Sequence, residues 1–163
     1  MSTPEDRNGT YQRAVVIDSD TAQGQRVQSD IVALAESCEF SAPELFAIHL
    51  AVEEALVNAI KHGNGSDASK KVHIDYGYEV DSKQMRIRIA DEGPGFNPAD
   101  VPDPTDLKFL ERPCGRGLLL MRHYMSRIVF SERGNCVEMI KRKGERAGGA
   151  GQDGDPSNIA IPI

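Results

Sequence analysis

The sequence predicts an α+β domain in which about three helices cover one face of a mainly antiparallel sheet. Apolar and polar residues alternate strictly at 72–80 and 85–89, which is typical of antiparallel strands with one covered and one solvent-exposed face. Ahead of them, apolar residues recur at spacings of three and four over 27–38 and 45–60, which is the helical period. A chain of 163 residues has the length of one domain with its own core.

The composition argues against several classes of protein. The formal net charge is -6, whereas a nucleic-acid-binding domain normally carries a basic face. Cys38, Cys114 and Cys136 are odd in number and form no C-x-x-C pair, which indicates a reducing compartment and disfavours a structural zinc site. Residues 1–10 do not resemble a signal peptide and no window resembles a membrane span. We therefore expect a cytoplasmic protein.

The first elements of the chain follow from local patterns. Residues 1–10 are polar and are predicted to be a flexible N-terminus, followed by a strand at Arg13–Ile17. A first helix then carries apolar residues at helical spacing over 27–38, and its possible N-cap residues are Ser19, Asp20 and Thr21.

The second helix has the clearest boundaries. Ser41 and Glu44 form a capping box at its start, and Gly63 supplies a stop at its end. We expect its apolar stripe to consist of Leu45, His49, Val52, Leu56 and Ala59, flanked by Ile48 and Ile60.

Two strands come next, joined by a turn at 81–83. The predicted core-facing residues are Val72, Ile74, Tyr76, Tyr78, Val80, Met85, Ile87 and Ile89. Arg86 and Arg88 are predicted to face the solvent, because neighbouring residues of a strand point to opposite faces.

The second half of the chain contains less regular stretches. Residues 97–114 are rich in proline, which indicates either disorder or a functional lid. A short helix begins near Gly115, and a hairpin turning at Gly134-Asn135 completes a domain of residues 11–143. Residues 144–163 are predicted to be a disordered tail rich in Gly and Asp, whose apolar end, 159–163, is either a docking segment for a partner or, as we favour, an apolar terminus without a role.

The second helix carries Glu54 and Asn58 four residues apart, so both side chains lie on one face about one turn apart. Mg²⁺ prefers oxygen ligands, keeps several waters and binds phosphates, so one asparagine oxygen suffices as its protein ligand. A carboxylate one turn away can orient or deprotonate an attacking hydroxyl. Alone, such a pair is also typical of a solvated helix face.

Two glycine motifs follow. In the run Asp91–Gly95, directly after a strand, Gly93 and Gly95 allow a close approach of the backbone to a flat ligand, and the aspartate can accept a hydrogen bond from an amino group. The run Gly115–Leu118 opens a helix and offers N–H groups to an anion. An ordinary turn and an ordinary helix start are the alternatives. Neither a phosphate-binding P-loop nor a protein-kinase catalytic loop is present in the sequence.

The order of these three motifs resembles the GHKL superfamily of ATP-binding domains, which includes DNA gyrase B, histidine kinases and MutL. The run Val52–Gly63 is similar to the N-box of the anti-sigma-factor serine/threonine kinases, and Glu111-Arg112 ahead of Gly115 resembles their lid-to-glycine segment. The resemblance covers residues 11–143. It implies the two-layer α/β sandwich of that superfamily, the Bergerat fold, and an ATP site.

The resemblance also implies roles for residues. Glu54 would be the catalytic base and Asn58 the Mg²⁺ ligand, while Asp91 would hold the adenine amino group beside Gly93 and Gly95. The residues at the phosphates would be Arg112, Gly115, Arg116, Gly117 and Leu118. We interpret His62 as a packed helix-end histidine. Asn58 and Asp91 must then line one cavity.

The function implied by the resemblance is that of a Mg-ATP-dependent kinase of the anti-sigma-factor type. Such a kinase phosphorylates a small anti-sigma-factor antagonist, binds a sigma factor and can form a homodimer, with no direct nucleic-acid or membrane partner. The alternative is a non-catalytic ATP-binding module that controls a protein partner. The catalytic half of a histidine kinase is disfavoured, because we find no preceding hairpin with a phosphoacceptor histidine.

Overall fold

The computed structural model describes residues 5–6, 10–95, 115–145 and 159–160. Its strands are β1 (Glu5–Asp6), β2 (Thr10–Asp18), β3 (Lys71–Glu79), β4 (Gln84–Asp91), β5 (Arg127–Phe130), β6 (Cys136–Arg142) and β7 (Ile159–Ala160). They form one sheet in the order β1-β2-β3-β4-β6-β5-β7, in which every neighbouring pair is antiparallel except β5 and β7. The predicted α+β class with a mainly antiparallel sheet is confirmed.

The helices of the described residues form the second layer. They are α1 (Thr21–Ser37), α2 (Ala42–Val57) and α3 (Gly115–Tyr124), and α2 continues without a break into a π-helical turn at Asn58–Gly63. The middle helix, α2, packs against both α1 and α3, and all three contact the sheet. This arrangement confirms the expected two-layer sandwich.

The helix starts form as the sequence predicts. Among the possible caps of α1, Asp20 is the residue used, because its side chain accepts a hydrogen bond from the N–H of Ala22 at 2.8 Å. At the start of α2 the Ser41 N–H donates to Glu44 Oε2 at 2.7 Å, and the Glu44 N–H donates to Ser41 Oγ at 3.4 Å. The capping box is therefore confirmed, and it fixes where α2 begins.

The buried face of α2 is broader than the predicted stripe. Val52, Leu56 and Ala59 are buried as expected, but His49 is exposed, so its assignment to the core was wrong. The buried face also contains Ala47, Ile48, Ala51, Ala55 and Ile60. The reason is that α2 lies between two helices and the sheet, and small alanines allow these neighbours to approach closely.

The alternation of β3 and β4 is confirmed in the structure. Ile74 lies opposite Ile89, and Ile87 lies opposite Met139, so the covered face of three adjacent strands is uniformly apolar. Val80 is the exception: it is 43% exposed, because β3 ends one residue earlier and Val80 belongs to the turn.

The other face of the sheet carries ion pairs. Arg86 lies 3.1 Å from Glu79 and 3.7 Å from Glu138, and Arg88 lies 3.3 Å from Asp75. Both arginines face the solvent, as the alternation predicts, and pairs this exposed add little to stability.

Several predictions fall on residues that the structure does not describe. These include the proline-rich segment 97–114 and most of the tail 144–163; within that tail, Ile159–Ala160 pairs with β5. In the predicted N-terminal segment, Glu5–Asp6 pairs with the start of β2. The domain boundaries remain a prediction. Among the described helices, none has both the length and the hydropathy required to cross a membrane.

Candidate functional site

A cavity of about 200 Å³ lies between the end of α2, the start of α3 and the adjoining ends of β4 and β6. Its polar lining includes Asn58, His62, Asp91 and Asn135. Its apolar walls are formed by Ala55, Ala59, Ile89, Leu118, Met121, Phe130 and Val137. Apolar walls with a few convergent polar groups are typical of a small-molecule site.

Asp91 is the acidic residue of this cavity and occupies the last position of β4. Its Oδ1 accepts a hydrogen bond from the Gly93 N–H at 2.9 Å. Its backbone is tied to the hairpin between β5 and β6, because the Asp91 N–H donates to the Asn135 carbonyl at 2.9 Å and Asn135 Nδ2 donates to the Asp91 carbonyl at 3.3 Å. Burial raises the pKa of Asp91, so a ligand that donates a hydrogen bond would stabilise its ionised form.

Glycines pack directly against this aspartate. A Cβ on Gly63 would lie 2.3 Å from Asp91 Cγ, and a Cβ on Gly93 would lie 1.9 Å from the Gly63 carbonyl oxygen. Gly95 has a φ of 74°, and its Cβ would lie 1.8 Å from the Arg133 carbonyl oxygen. The end of α2 and the turn after β4 can therefore meet only where side chains are absent.

Glu54 and Asn58 meet the start of α3. A Cβ on Gly117 would lie 2.5 Å from Glu54 Oε2 and 3.6 Å from Asn58 Nδ2, so the two side chains share one small space in front of that helix. Both are half-buried, whereas Glu53 is exposed, as expected for a surface charge.

The donor set at this position fits a weakly held cation such as Mg²⁺. Among the described residues, no group of three or more His, Cys, Asp or Glu side chains is placed to hold a metal ion. Mg²⁺ does not require such a cage, because it takes most of its ligands from water and phosphate. The oxygen of Asn58 is available for one of the remaining positions, at the edge of the cavity.

The last turn of the long helix differs from the prediction of a regular α-helix. The helix ends at Gly63 as predicted, but Asn58–Gly63 is a π-helical turn, with the Asn64 N–H donating to the Ala59 carbonyl at 2.9 Å. Single π turns are frequent at functional sites. Three residues of this turn, Asn58, His62 and Gly63, line the cavity.

His62 is exposed and lines the cavity, so its interpretation as a packed histidine was wrong. That interpretation rested on the usual behaviour of lone histidines, which are more often packed or capping than part of a ligand site. Sequence reasoning also missed Gly134, Asn135 and Cys136, which line the cavity from the hairpin. Burial raises the pKa of the Cys136 thiol. The hairpin itself was predicted; its closeness to Asp91 depends on β6 pairing with β4.

The structure brings most of the predicted site residues together. Asn58, Asp91, Gly95 and Leu118 line the cavity, and Gly93 lies against its wall. Glu54 and Gly117 lie beside Asn58. Gly115 and Arg116 begin α3, and Arg112 falls outside the described residues. The geometric requirement that Asn58 and Asp91 share one cavity is met, while the roles of the individual residues remain predictions.

This fold and cavity define an ATP-binding domain of the GHKL type. Residues 17–141 match the family of histidine kinase-like ATPase domains, and the chain belongs to that family.

Relatives place the chain more narrowly. It is 36% identical over 104 residues to an anti-sigma F factor from Clostridium perfringens, covering 61% of this chain and 72% of that protein. It is 28% identical over 96 residues to the serine/threonine-protein kinase BtrW from Bordetella bronchiseptica, covering 58% of this chain and 66% of that protein. The resemblance to the anti-sigma-factor kinase family is thereby confirmed.

A solved structure supports the fold. The crystal structure of the RsbU and RsbW domains of a Mycobacterium tuberculosis protein superposes with a TM-score of 0.55 at 17% identity. The match covers 83% of this chain and 33% of that longer chain.

Proposed function

We propose that this chain is an ATP-dependent serine/threonine protein kinase of the anti-sigma-factor type, which phosphorylates a small antagonist protein and binds a sigma factor. One observation carries the proposal: Asn58 and Asp91 line one cavity, and Glu54 lies beside Asn58 at the start of α3. The names of the relatives support the choice of an anti-sigma-factor kinase among ATP-binding domains.

The cavity would hold the adenine ring. Its apolar walls can pack against a flat ring, and Asp91 can accept a hydrogen bond from the exocyclic amino group. The Gly93 N–H holds the Asp91 carboxylate in one orientation. The site therefore favours a purine that has a hydrogen-bond donor, such as an amino group, opposite this carboxylate. A purine with a carbonyl at this position would face the carboxylate with another acceptor.

The phosphates would extend towards the start of α3. The N–H groups of a helix's first turn have no partner within the helix, so Gly115, Arg116, Gly117 and Leu118 offer a positive end to an anion. Arg112 and Arg116 would add charge at the terminal phosphate. Mg²⁺, held by Asn58, water and phosphate oxygens, would supply neutralisation of the negative charge.

Glu54 would act on the hydroxyl of the protein substrate. Its carboxylate lies next to Gly117, where the terminal phosphate would lie, so it can accept a hydrogen bond from an incoming serine or threonine. Phosphoryl transfer needs mainly positioning of the reactants and stabilisation of negative charge. The attacking hydroxyl must also be oriented or deprotonated, and one carboxylate is sufficient for that.

The test is phosphate transfer by variants of two adjacent glutamates. Glu54→Ala should reduce transfer of labelled phosphate from Mg-ATP to an antagonist protein by at least ~100-fold, while ATP affinity stays within a few-fold of wild type. Glu53→Ala is the matched control, because Glu53 is exposed on the same helix and should transfer normally. Near-normal transfer by Glu54→Ala would refute the assigned role.

The same assay separates the two candidate functions. A non-catalytic module would bind ATP and a partner but transfer no label to any antagonist protein that carries a serine at a helix start. Pull-down with a sigma factor tests the second partner, and sedimentation tests the proposed homodimer. Failure of the wild-type chain to bind ATP would overturn both candidates.

A further inference from the structure

Asn64, the residue directly after the π turn, is 2% exposed and fully engaged in hydrogen bonds. Its Nδ2 donates to Ser19 Oγ at 3.0 Å and to the Lys71 carbonyl at 3.0 Å, and its Oδ1 accepts from the Glu92 N–H at 2.8 Å. The amide orientation is fixed, because a carbonyl can only accept and an N–H can only donate. One side chain therefore joins the ends of β2 and β3 to the turn after β4.

The bond to Glu92 acts on the predicted adenine-binding aspartate. Glu92 directly follows Asp91, and Gly93, which follows next, donates its N–H to Asp91 Oδ1. The same turn rests on Gly63, the neighbour of Asn64, since a Cβ on Gly93 would overlap the Gly63 carbonyl. The Asp91–Gly93 turn is thus held from the end of the long helix at two adjacent residues.

We propose that Asn64 is a positioning residue for the nucleobase end of the site: its hydrogen bond to the Glu92 N–H sets the place of the Asp91 carboxylate. The proposal rests on the proposed function for the identity of the ligand. Asn64 has no contact with the cavity and acts only through the turn.

Two variants at this position separate positioning from a purely structural role. Asn64→Asp keeps the acceptor for the Glu92 N–H but loses both donors, whereas Asn64→Ala loses all three hydrogen bonds. Both should lower stability, because each leaves buried groups without partners. Only Asn64→Ala should weaken ATP binding, by about tenfold or more, as expected when the hydrogen bond between the carboxylate and the base is misplaced.

Ser19→Ala is the matched control. It removes a hydroxyl that accepts from Asn64 and donates to the Lys70 carbonyl at 2.7 Å, but it leaves the bond to Glu92 intact. Its Kd for ATP should stay within about twofold of wild type at a temperature where all variants are folded. In transfer assays Asn64→Ala should raise the KM for ATP while kcat at saturating ATP changes little.

Hydrogen exchange of the Glu92 amide provides a readout that needs no nucleotide. Exchange should accelerate in Asn64→Ala and remain slow in Asn64→Asp and Ser19→Ala. If Asn64→Ala does not fold, Asn64→Ser is used instead, because the serine side chain is too short to accept the hydrogen bond from the Glu92 N–H. Equal ATP affinity of Asn64→Asp and Asn64→Ala, or unchanged Glu92 exchange, overturns the positioning role. Absence of ATP binding by the wild type overturns the proposed function instead, and the exchange result still decides the role of the Glu92 bond.

Discussion

Gly117→Ala offers a way to disturb Glu54 without touching it. A Cβ at this position would lie 2.5 Å from Glu54 Oε2, about 1 Å closer than non-bonded heavy atoms normally approach. The contact is with the end of a flexible side chain, so the carboxylate should move by about that distance while the backbone stays in place. Misplacement of a reacting group by ~1 Å costs on the order of 100-fold in rate, and we expect this loss in phosphate transfer.

Stability should change in the opposite direction. Gly117 lies in α3 with ordinary helical geometry, and replacing glycine by alanine in a helix gains up to about 1 kcal/mol. The assay therefore pairs a transfer rate with a denaturant unfolding curve and an ATP titration on the same preparation. We expect a slow kinase that unfolds at the same or a higher denaturant concentration, and the ATP titration measures separately how far the added methyl group crowds the phosphates proposed to lie at Gly117.

A double variant tests whether the loss passes through Glu54. In Glu54→Asp the carboxylate is one methylene shorter, so the added methyl group at residue 117 no longer overlaps it. Gly117→Ala should then cause little further loss in the Glu54→Asp background, which is the non-additivity expected of residues in contact. Normal transfer by Gly117→Ala alone, or full additivity of the two changes, would refute the reasoning.

Two further predictions concern the fold around the site. Gly93→Ala should destabilise the domain by about 1–3 kcal/mol and weaken ATP binding, because its Cβ would meet the Gly63 backbone rather than a movable side chain; chemical denaturation and calorimetric titration measure both effects. Burial acts to raise the pKa of Glu44, but hydrogen bonds from the Ser41 and Gly144 N–H groups outweigh it and hold that pKa below its ordinary value. The resulting stabilisation is present above pH 4.5 and is lost as the pH falls through the folded-state pKa, so the stability difference between wild type and Glu44→Gln should shrink on acidification; a constant difference across that range would contradict the assignment.

Local sequence patterns predict much of this fold, because the interactions behind these patterns join residues that are close together in the chain. The capping box at Ser41 and Glu44 starts α2 whatever the rest of the chain does, and the alternation at 85–89 fixes which face of β4 is buried. The shared cavity of Asn58 and Asp91 was also predictable, but only by resemblance, because the two residues are brought together by the packing of α2 on the sheet.

Other features depend on tertiary contacts that leave no local signal. The π turn forms where the end of α2 meets the turn after β4, and its sequence, Asn58–Gly63, reads as ordinary helix. The exposed position of His62 and the burial of Asn64 are likewise not evident from the local sequence. Asn135 enters the site because β6 pairs beside β4, which the hairpin sequence does not specify.

The π turn changes the angular spacing of the side chains in the last part of the long helix. Along Ala42–Val57 the helix is oriented so that its alanines are buried against the neighbouring helices and the sheet. A π turn contains more residues per turn than an α-helix, so the side chains of Asn58–Gly63 do not continue the angular spacing of the preceding residues. Because Asn58, His62 and Asp91 line one cavity, the number of residues in this turn matters as much as their identity, and deletion of one residue from Asn58–Gly63 would change which side chains face Asp91.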